Sequence, residues 1–443
     1  MHDAEHKTIR KTQSVMTTQR IAVIGSGIAG LATGWLLSQR NRVTLFEADT
    51  YLGGHTHTVE VTIDGITAPV DTGFLVYNDR TYPNLIALFA ALGVQAAASD
   101  MSFSVRIDDE DLEWSGSSLA TVFAQKRNLL RPEFWRMLKD IVRFNRTATE
   151  LARTGAIPDV TLGTWLEAGA YSRAFRDWYL LPMSGAIWSC PPQQMLAYPA
   201  KTLIHFCLNH GLLQITDRPR WRTVVGGGRD YVWRLAQTIA DVRLQTPVRT
   251  VRRLPQAVEI THGDGQIETF DSVVLACHSD QALALLSDAD ADEQAILGAV
   301  RYQPNHAVLH TDLNFLPRAR EAWAAWNYHS THAGDGTQPV GVSYLINQLQ
   351  PLPFTKPVIV TLNPVQPPDS AQVIEHFDYA HPIFDRAAIA AQQALPGIQG
   401  RRRSWFCGAW TGYGFHEDGL KSALVVANGF GIQAPWQQTQ AAA

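Results

Sequence analysis

The residues Gly25-Ser26-Gly27-Ile28-Ala29-Gly30 follow a short apolar run and open a helical one. Each glycine has its own part in gripping a pyrophosphate. Gly25 allows a tight turn out of a strand, Gly27 lets the backbone approach the phosphates, and Gly30 lets the helix lie close on a sheet. The helix N-terminus offers unpaired N–H groups and the positive end of its dipole. A second apolar strand ends at Glu47, near the roughly 20-residue offset at which an acid meets a ribose. There its carboxylate is expected to accept hydrogen bonds from both ribose hydroxyls. A ligand-free glycine turn is the plainer alternative. The strand, helix, strand and acid within about 30 residues tell against it.

These residues need a strand–helix–strand unit over about residues 18 to 57 to position them. An alternating strand follows, with a turn at Asp64-Gly65, then Asp71-Thr72-Gly73-Phe74. Helical spacing runs from Tyr82 to Leu92, and residues 100–115 alternate as a hairpin. From Ser117 to Gly155 the pattern is helical, with Pro132 opening a second helix. The helical pattern continues to about Gly211, broken at Pro182, Pro191-Pro192 and Pro199. Around the glycine turn Gly226-Gly227-Gly228 the pattern is strand, turn, helix. Short strands follow, with a turn at Gly263-Asp264-Gly265 and an apolar strand from Val273 to Cys277. Residues 300–365, rich in β-branched and aromatic types, predict a mixed sheet. Finally, Trp405–Cys407 is strand-like, Gly408–Gly414 is glycine-rich, and Asp418-Gly419-Leu420 opens a helix. No internal repeat or low-complexity tract is visible.

The stretch Glu47 to His55 reads EADTYLGGH. It resembles the glycine-pair motif of the flavin-containing amine oxidase superfamily, which implies FAD as the resident dinucleotide. The superfamily usually has Arg after the glycines, near the pyrophosphate, where this chain has His55. The resemblance gives Gly73 a steric role beside the flavin ring, against the alternative of a plain turn glycine. It places Val248 against the adenine. It also aims the helix at Asp418-Gly419-Leu420 towards the flavin's pyrimidine edge, where a helix N-terminus stabilises an anion. At Ala409 the superfamily usually has an acid. The expected cofactor-binding residues are therefore Gly25, Ser26, Gly27, Ala29, Gly30, Glu47, Gly53, Gly54, His55, Gly73, Phe74, Val248, Gly408, Asp418, Gly419 and Leu420. His416 and Glu417 stand beside this segment, either as a titratable pair near the ring or as plain helix caps. His416 is the candidate for proton transfer, and Trp326 and Tyr328 are candidate substrate-pocket aromatics.

The implied fold is mixed α/β: a Rossmann-like FAD-binding domain of the amine oxidase type, interleaved with a substrate domain of mixed sheet and helical subdomain. The expected segments are a polar extension over 1–17, FAD-binding parts at 18–80, 220–290 and 401–435, and substrate-domain parts at 81–219 and 291–400. The strings AIWSCPP, NHGLL, WRTVVGGGRDYV, AWNYH and CGAWTGYGFHEDGL resemble a narrower group. These are bacterial FAD-dependent, amine-oxidase-like proteins associated with cyclopropane fatty-acid synthase-type methyltransferases. A similar flavin domain forms the N-terminal half of plant cyclopropane synthases. This resemblance implies a flavin oxidoreductase, with a desaturase acting on modified fatty acyl lipids as the leading expectation. An amine or amino-acid oxidase, or a flavin-holding partner of a lipid methyltransferase, are the alternatives.

Composition bounds the rest. Hydrophobic residues make up 46% and charged residues 18% of 443, ordinary for a protein with a sizeable core. A net charge of −4 argues against nucleic-acid binding. The scattered cysteines Cys190, Cys207, Cys277 and Cys407 fit buried thiols in a reducing compartment. The N-terminus lacks an apolar signal core, so a cytoplasmic location is expected, and Met16 is an alternative start to Met1. Residues 118–155 carry eight Lys/Arg against three acids, a local charge of +5, interleaved with apolar side chains. Such a helix either docks on an anionic membrane surface or packs on its own domain with a solvated basic face. His306 and His310 are four apart, but in a strand that spacing makes no chelate. The serine of GAIWSCP lacks a nucleophile-elbow turn. Arg401-Arg402-Arg403 is expected to be a solvated charge run.

Overall fold

The computed structural model describes residues 18–188, 191–214, 218–331 and 341–441. The polar extension 1–17 with Met16, and the serine and Cys190 of GAIWSCP, lie outside these residues.

The apolar runs around the glycine turn become the centre of a parallel sheet. Its five strands lie in the order Asp241–Arg243, Arg42–Phe46, Arg20–Ile24, Ser272–Leu275, Ser404–Phe406. Strands buried on both faces read as continuous apolar runs, and Ile21, Val23, Val273 and Val274 are fully buried. The helix Ile28–Leu37 covers one face, and the closing helix His416–Gly429 lies against it. A three-stranded antiparallel sheet, Val248–Arg253, Val258–His262 and Gln266–Phe270, branches from this unit.

The second large sheet has seven strands. Its order is Val373–Ile383, Arg301–His310, Ile359–Leu362, Gly341–Leu345, Trp326–Ser330, Phe103–Ile107, Leu112–Ser115. It is mixed, because Trp326–Ser330 runs parallel to Phe103–Ile107 while the other pairs are antiparallel. The strand expected at Trp221–Val224 does form. It pairs with Tyr77–Asn78 and Ala96–Ala98, so it stands outside the parallel sheet. Pro132 is the first residue of the long helix Pro132–Thr154, which Gly155 ends in a left-handed conformation.

Arg401 and Arg402 are exposed, as expected of a solvated charge run, but the run is also paired. Arg401 pairs with Asp290 and Asp292, Arg402 with Asp288, and Arg403 donates to the Asp271 carbonyl and Gln256. The run is an ion-paired clasp that seats the last sheet strand. Acids 109 to 114 residues away in sequence supply the partners, so local pattern could not reveal it. His306 and His310 lie in a strand as expected. His310 is fully buried on Thr361, whereas His306 is exposed beside Asp378. No group of metal-ligating side chains forms among the described residues. No helix there is long and apolar enough to cross a membrane.

Candidate functional site

The nucleotide turn begins at Gly25, whose φ of +99° favours glycine. Its N–H donates to the Phe46 carbonyl at 2.9 Å, tying the turn to the neighbouring strand. Gly27 caps the helix Ile28–Leu37 with no side-chain bond to the first N–H groups, so these are free for a phosphate. The Gly53-Gly54 pair lies directly on this turn. Gly53 donates to the Ser26 carbonyl and hydroxyl, both at 3.1 Å, and Gly27 and Gly53 form a parallel bridge. A Cβ on Gly54 would sit 3.3 Å from Gly27 Cα. The two glycine motifs are thus one structural unit.

Glu47 accepts from Ser26 N at 2.9 Å, Ser26 Oγ at 2.5 Å and Asp49 N at 2.9 Å. A carboxylate has about four acceptor positions, so one remains open to a ribose hydroxyl. Rotating the Ser26 hydroxyl away would free a second. Replacing Glu47 with alanine should raise the FAD dissociation constant roughly 10- to 100-fold, the range of about 1.5–3 kcal/mol for hydrogen bonds to charged groups. Titration of apoprotein with FAD by fluorescence quenching measures it, and an unchanged constant would remove Glu47 from the ribose site.

Beyond the glycine pair, three histidines gather on the wall of one cavity of about 440 Å³. The His55 ring lies 5.3 Å from that of His381 and 6.1 Å from that of His278. Burial holds all three below the usual imidazole range, His381 at about 4. Trp410 Nε1 on the same wall is a buried donor with no hydrogen-bond partner, which is unfavourable unless a ligand takes it. His55 Nε2 is also unpartnered, but in the neutral ring, whose other nitrogen donates to the Ala380 carbonyl, it is an acceptor. The open helix terminus, the glycine cradle and Trp410 Nε1 fit an FAD pyrophosphate, while His55 stands at the superfamily's arginine position without its positive charge. His278 also stacks on Tyr302, at 4.2 Å between ring centres.

Neutral buried histidines have a pH signature. An unfolded histidine titrates near pH 6.5, while His381 does so at about 4 in the fold. The stabilisation from keeping these rings neutral is therefore full above pH 6.5 and lost as pH falls towards 4. The thermal midpoint of the apoprotein should drop across that interval, and less steeply in His381→Gln. Parallel pH profiles of the two proteins would show this; identical slopes would exonerate His381.

Gly73 and Phe74 also line the wall, tied to the His55 carbonyl through the Phe74 N–H at 2.7 Å. The steric demand on Gly73 comes from the backbone, since a Cβ there would lie 2.1 Å from the His55 carbonyl oxygen. Phe74 stacks on His416, ring centres 3.6 Å apart. His416 is the first residue of the closing helix, and its Nε2 contacts Thr56 Oγ1 at 2.8 Å and the Tyr231 hydroxyl at 3.0 Å. Burial pulls its pKa down to about 3. A ring so weakly basic, with one nitrogen spent on two hydroxyls, suits holding Phe74 and Thr56 in place better than accepting a proton near neutrality. Glu417 caps a helix: it accepts from Asn84 N at 3.2 Å, Asn84 Nδ2 at 2.7 Å and Leu85 N at 2.9 Å, at the start of Pro83–Leu92.

Other expected cofactor residues stand behind the wall. Asp418 accepts from the backbone N–H groups of Tyr413 and Phe415 at 3.0 and 3.1 Å, closing the loop before its own helix. A Cβ on Gly419 would be 2.8 Å from Ile28 Cγ2, so this glycine lets the closing helix pack on Ile28–Leu37. Leu420 is fully buried in the core. Val248 starts its antiparallel strand opposite His262. None of these four is among the cavity-lining residues, whereas Gly25, Ser26, Gly27, Ala29, Glu47, Gly53, Gly54, His55 and Gly408 are. Gly30 lies one step behind the turn, where a Cβ would be 1.9 Å from the Gly25 carbonyl oxygen.

The remaining wall is aromatic and apolar. Trp326 lines it and meets Tyr344 edge-to-face at 4.8 Å. Tyr328, two residues further along the strand, is buried in the sheet's core and does not line the cavity. Sequence reading missed His278, Tyr302, Tyr379 and His381, single aromatic residues in ordinary strands or loops with no motif to mark them; Trp410 lay within the string CGAWTGYGFHEDGL without being singled out as a lining residue. Among the described lining residues there is no Lys or Arg, and Glu47 is the one carboxylate.

A parallel nucleotide-binding sheet fused to a mixed sheet, with a cavity running from the glycine turn to an aromatic wall, defines a flavoprotein oxidoreductase. The chain belongs to the flavin-containing amine oxidoreductase family, whose model matches residues 28–322, and FAD is its cofactor. It is similar to the carotenoid phi-ring synthase of Streptomyces griseus, 27% identical over 312 residues, covering 64% of this chain and 58% of that one. The enzyme of the same name from Chlorobaculum tepidum is 28% identical over 179 residues, covering 38% and 24%. The chain thus spans well under two thirds of these relatives' lengths. Solved structures with the same fold include a fatty acid isomerase from P. acnes, with a TM-score of 0.67 at 16% identity, covering 94% of this chain and 100% of that one. Cyclohexylamine oxidase from Brevibacterium oxydans follows, with a TM-score of 0.65 at 15% identity and the same coverage.

Proposed function

We propose that this FAD-dependent oxidoreductase removes hydride from a C–H bond of a long, uncharged hydrocarbon chain, as a desaturase of modified, methylated or cyclopropanated, fatty acyl lipids. The observation that carries this is the charge content of the cavity wall. With no Lys or Arg among its described lining residues, and Glu47 committed to the nucleotide turn, the described wall offers no clamp for an amino-acid carboxylate. It also lacks a free carboxylate for an ammonium group. An uncharged ion-free chain enters such a wall without an unpaired buried charge. Two of the proteins it is similar to, a fatty acid isomerase and a carotenoid phi-ring synthase, are named for largely apolar molecules.

Bound FAD supplies hydride acceptance and onward electron transfer. The chain's own residues supply register and dryness. Trp326 and Tyr344 present flat apolar faces to a substrate chain. Phe74, held by His416, closes the wall at the end where the ring would lie. The runner-up is oxidation of an uncharged amine, favoured by the same Trp326–Tyr344 aromatic corner. Anaerobic mixing of the holoprotein with acyl chains bearing a methyl branch or cyclopropane ring should bleach the flavin absorbance. Bleaching by amines alone would install the runner-up. No bleaching by either, with co-purification of a methyltransferase, would favour a flavin-holding partner role.

A further inference from the structure

The long helix Pro132–Thr154 resolves the two alternatives open for the basic segment by satisfying both in part. Its apolar stripe at Phe134, Met137, Phe144 and Ala148 is buried within the protein. A second set of apolar side chains in the same segment faces out. Leu119 is 80% exposed, Leu130 87%, Val142 57%, Trp135 49% and Leu129 46%. Trp135 rests beside Phe123 with its Nε1 donating to the Leu129 carbonyl at 2.9 Å, so the half of its surface that stays exposed is held in a fixed position.

Cations flank them. On the outward face of the helix, Trp135, Lys139, Val142 and Arg146 recur at spacings of four, three and four, all exposed, before Glu150 and Arg153 continue the face as an ion pair. Arg153 is paired with Glu150, and Arg127 with Asp111. Among the described residues, Lys126, Lys139 and Arg146 have no acidic partner. The local charge of +5 stands in a chain of net −4.

We propose that this surface, from Leu119 to Arg146, docks on the face of an anionic phospholipid bilayer. Leu119, Leu130 and Trp135 enter the boundary between headgroups and acyl chains, while Lys126, Lys139 and Arg146 meet lipid phosphates. Projecting apolar side chains suit a soft hydrocarbon layer, which opens around them. A folded protein partner would need a matching set of pockets. Two weak attractions of different kind, apolar insertion and phosphate pairing, are what reversible attachment at an interface requires. This surface is separate from the cavity, and the inference does not depend on the substrate assigned there.

The test uses the full-length holoprotein and extruded vesicles in flotation assays. With vesicles of phosphatidylglycerol and phosphatidylcholine at 0.1 M NaCl, most of the protein should float. With pure phosphatidylcholine, or at 0.5 M NaCl, the bound fraction should fall at least tenfold. Leu130→Ser/Trp135→Ser and, separately, Lys139→Glu/Arg146→Glu should each weaken binding at least tenfold while leaving the FAD-to-protein ratio unchanged. That ratio checks folding. Failure of the wild-type protein to float with anionic vesicles overturns the proposal, as does undiminished floating of both variants. Flotation without flavin reduction by any lipid would leave the docking surface standing and remove the lipid substrate.

Discussion

Gly30→Ala should yield a protein that holds FAD about 10- to 100-fold more weakly and unfolds at lower denaturant concentration. The added Cβ would sit 1.9 Å from the Gly25 carbonyl oxygen, 3.0 Å from the Gly25 carbonyl carbon and 3.1 Å from Ala276 Cβ. Two of these are backbone atoms of the nucleotide turn, so the turn itself must move. Overpacking of this kind costs about 1–3 kcal/mol. The same displacement shifts the N–H groups that face the pyrophosphate, so affinity falls with stability, at about 1.4 kcal/mol per tenfold. Gly34→Ala, one turn further along the same helix, provides the contrast. Its Cβ would meet Ile239 Cδ1 at 2.6 Å, the end of a flexible side chain, and alanine favours the helix by about 1 kcal/mol. FAD titration and urea unfolding of both variants would decide the matter. Equal behaviour of the two would refute the backbone-clash argument.

The second large effect lies far from the cavity. The Arg253 side chain is wholly buried and paired with Glu293, itself 1% exposed, and with Asp288. Its Nη2 donates to Glu293 Oε2 at 2.8 Å and to the Asp288 carbonyl at 2.9 Å. Glu293 also accepts from Asp290 N at 2.9 Å, in the capping box of the helix Ala291–Leu297. Arg253→Met removes the cation and leaves the buried carboxylate with that one backbone donor. Breaking a buried pair from one side costs about 3–5 kcal/mol. The loss should appear as a lowered unfolding midpoint with FAD content intact in the folded fraction. Adding Glu293→Gln should return a good part of it, because a neutral amide needs no counter-ion. If the double variant is no more stable than the single one, the unpaired charge is not the cause.

The parts of the site that sequence made legible are those built from contiguous residues. The glycine turn, its helix and Glu47 sit within one strand–helix–strand unit, whose physics is local. So do the hairpin of residues 100–115 and the proline that opens the long helix. What stayed hidden depends on encounters between distant segments. Gly419 is small because Ile28, from the opposite end of the nucleotide-binding unit's sequence, lies against it, a need not visible without the fold. The histidine group takes one ring from each of three separate places, at 55, 278 and 381. Likewise, the clasp at Arg401–Arg403 needs acids brought from the Asp288–Asp292 region.

The contact between Gly419 and Ile28 also bears on the order of events during synthesis. The first turn of the nucleotide site leaves the ribosome long before the helix His416–Gly429 that braces it, and long before the edge strand Ser404–Phe406. Both large sheets wait in the same way for strands from distant parts of the chain. Bringing such remote segments together before any reward in contacts makes folding slow. The nascent polypeptide should therefore stay unable to retain its flavin until the segment from Ser404 to Gly429 has emerged, exposing apolar strands that a chaperone would shield in the meantime.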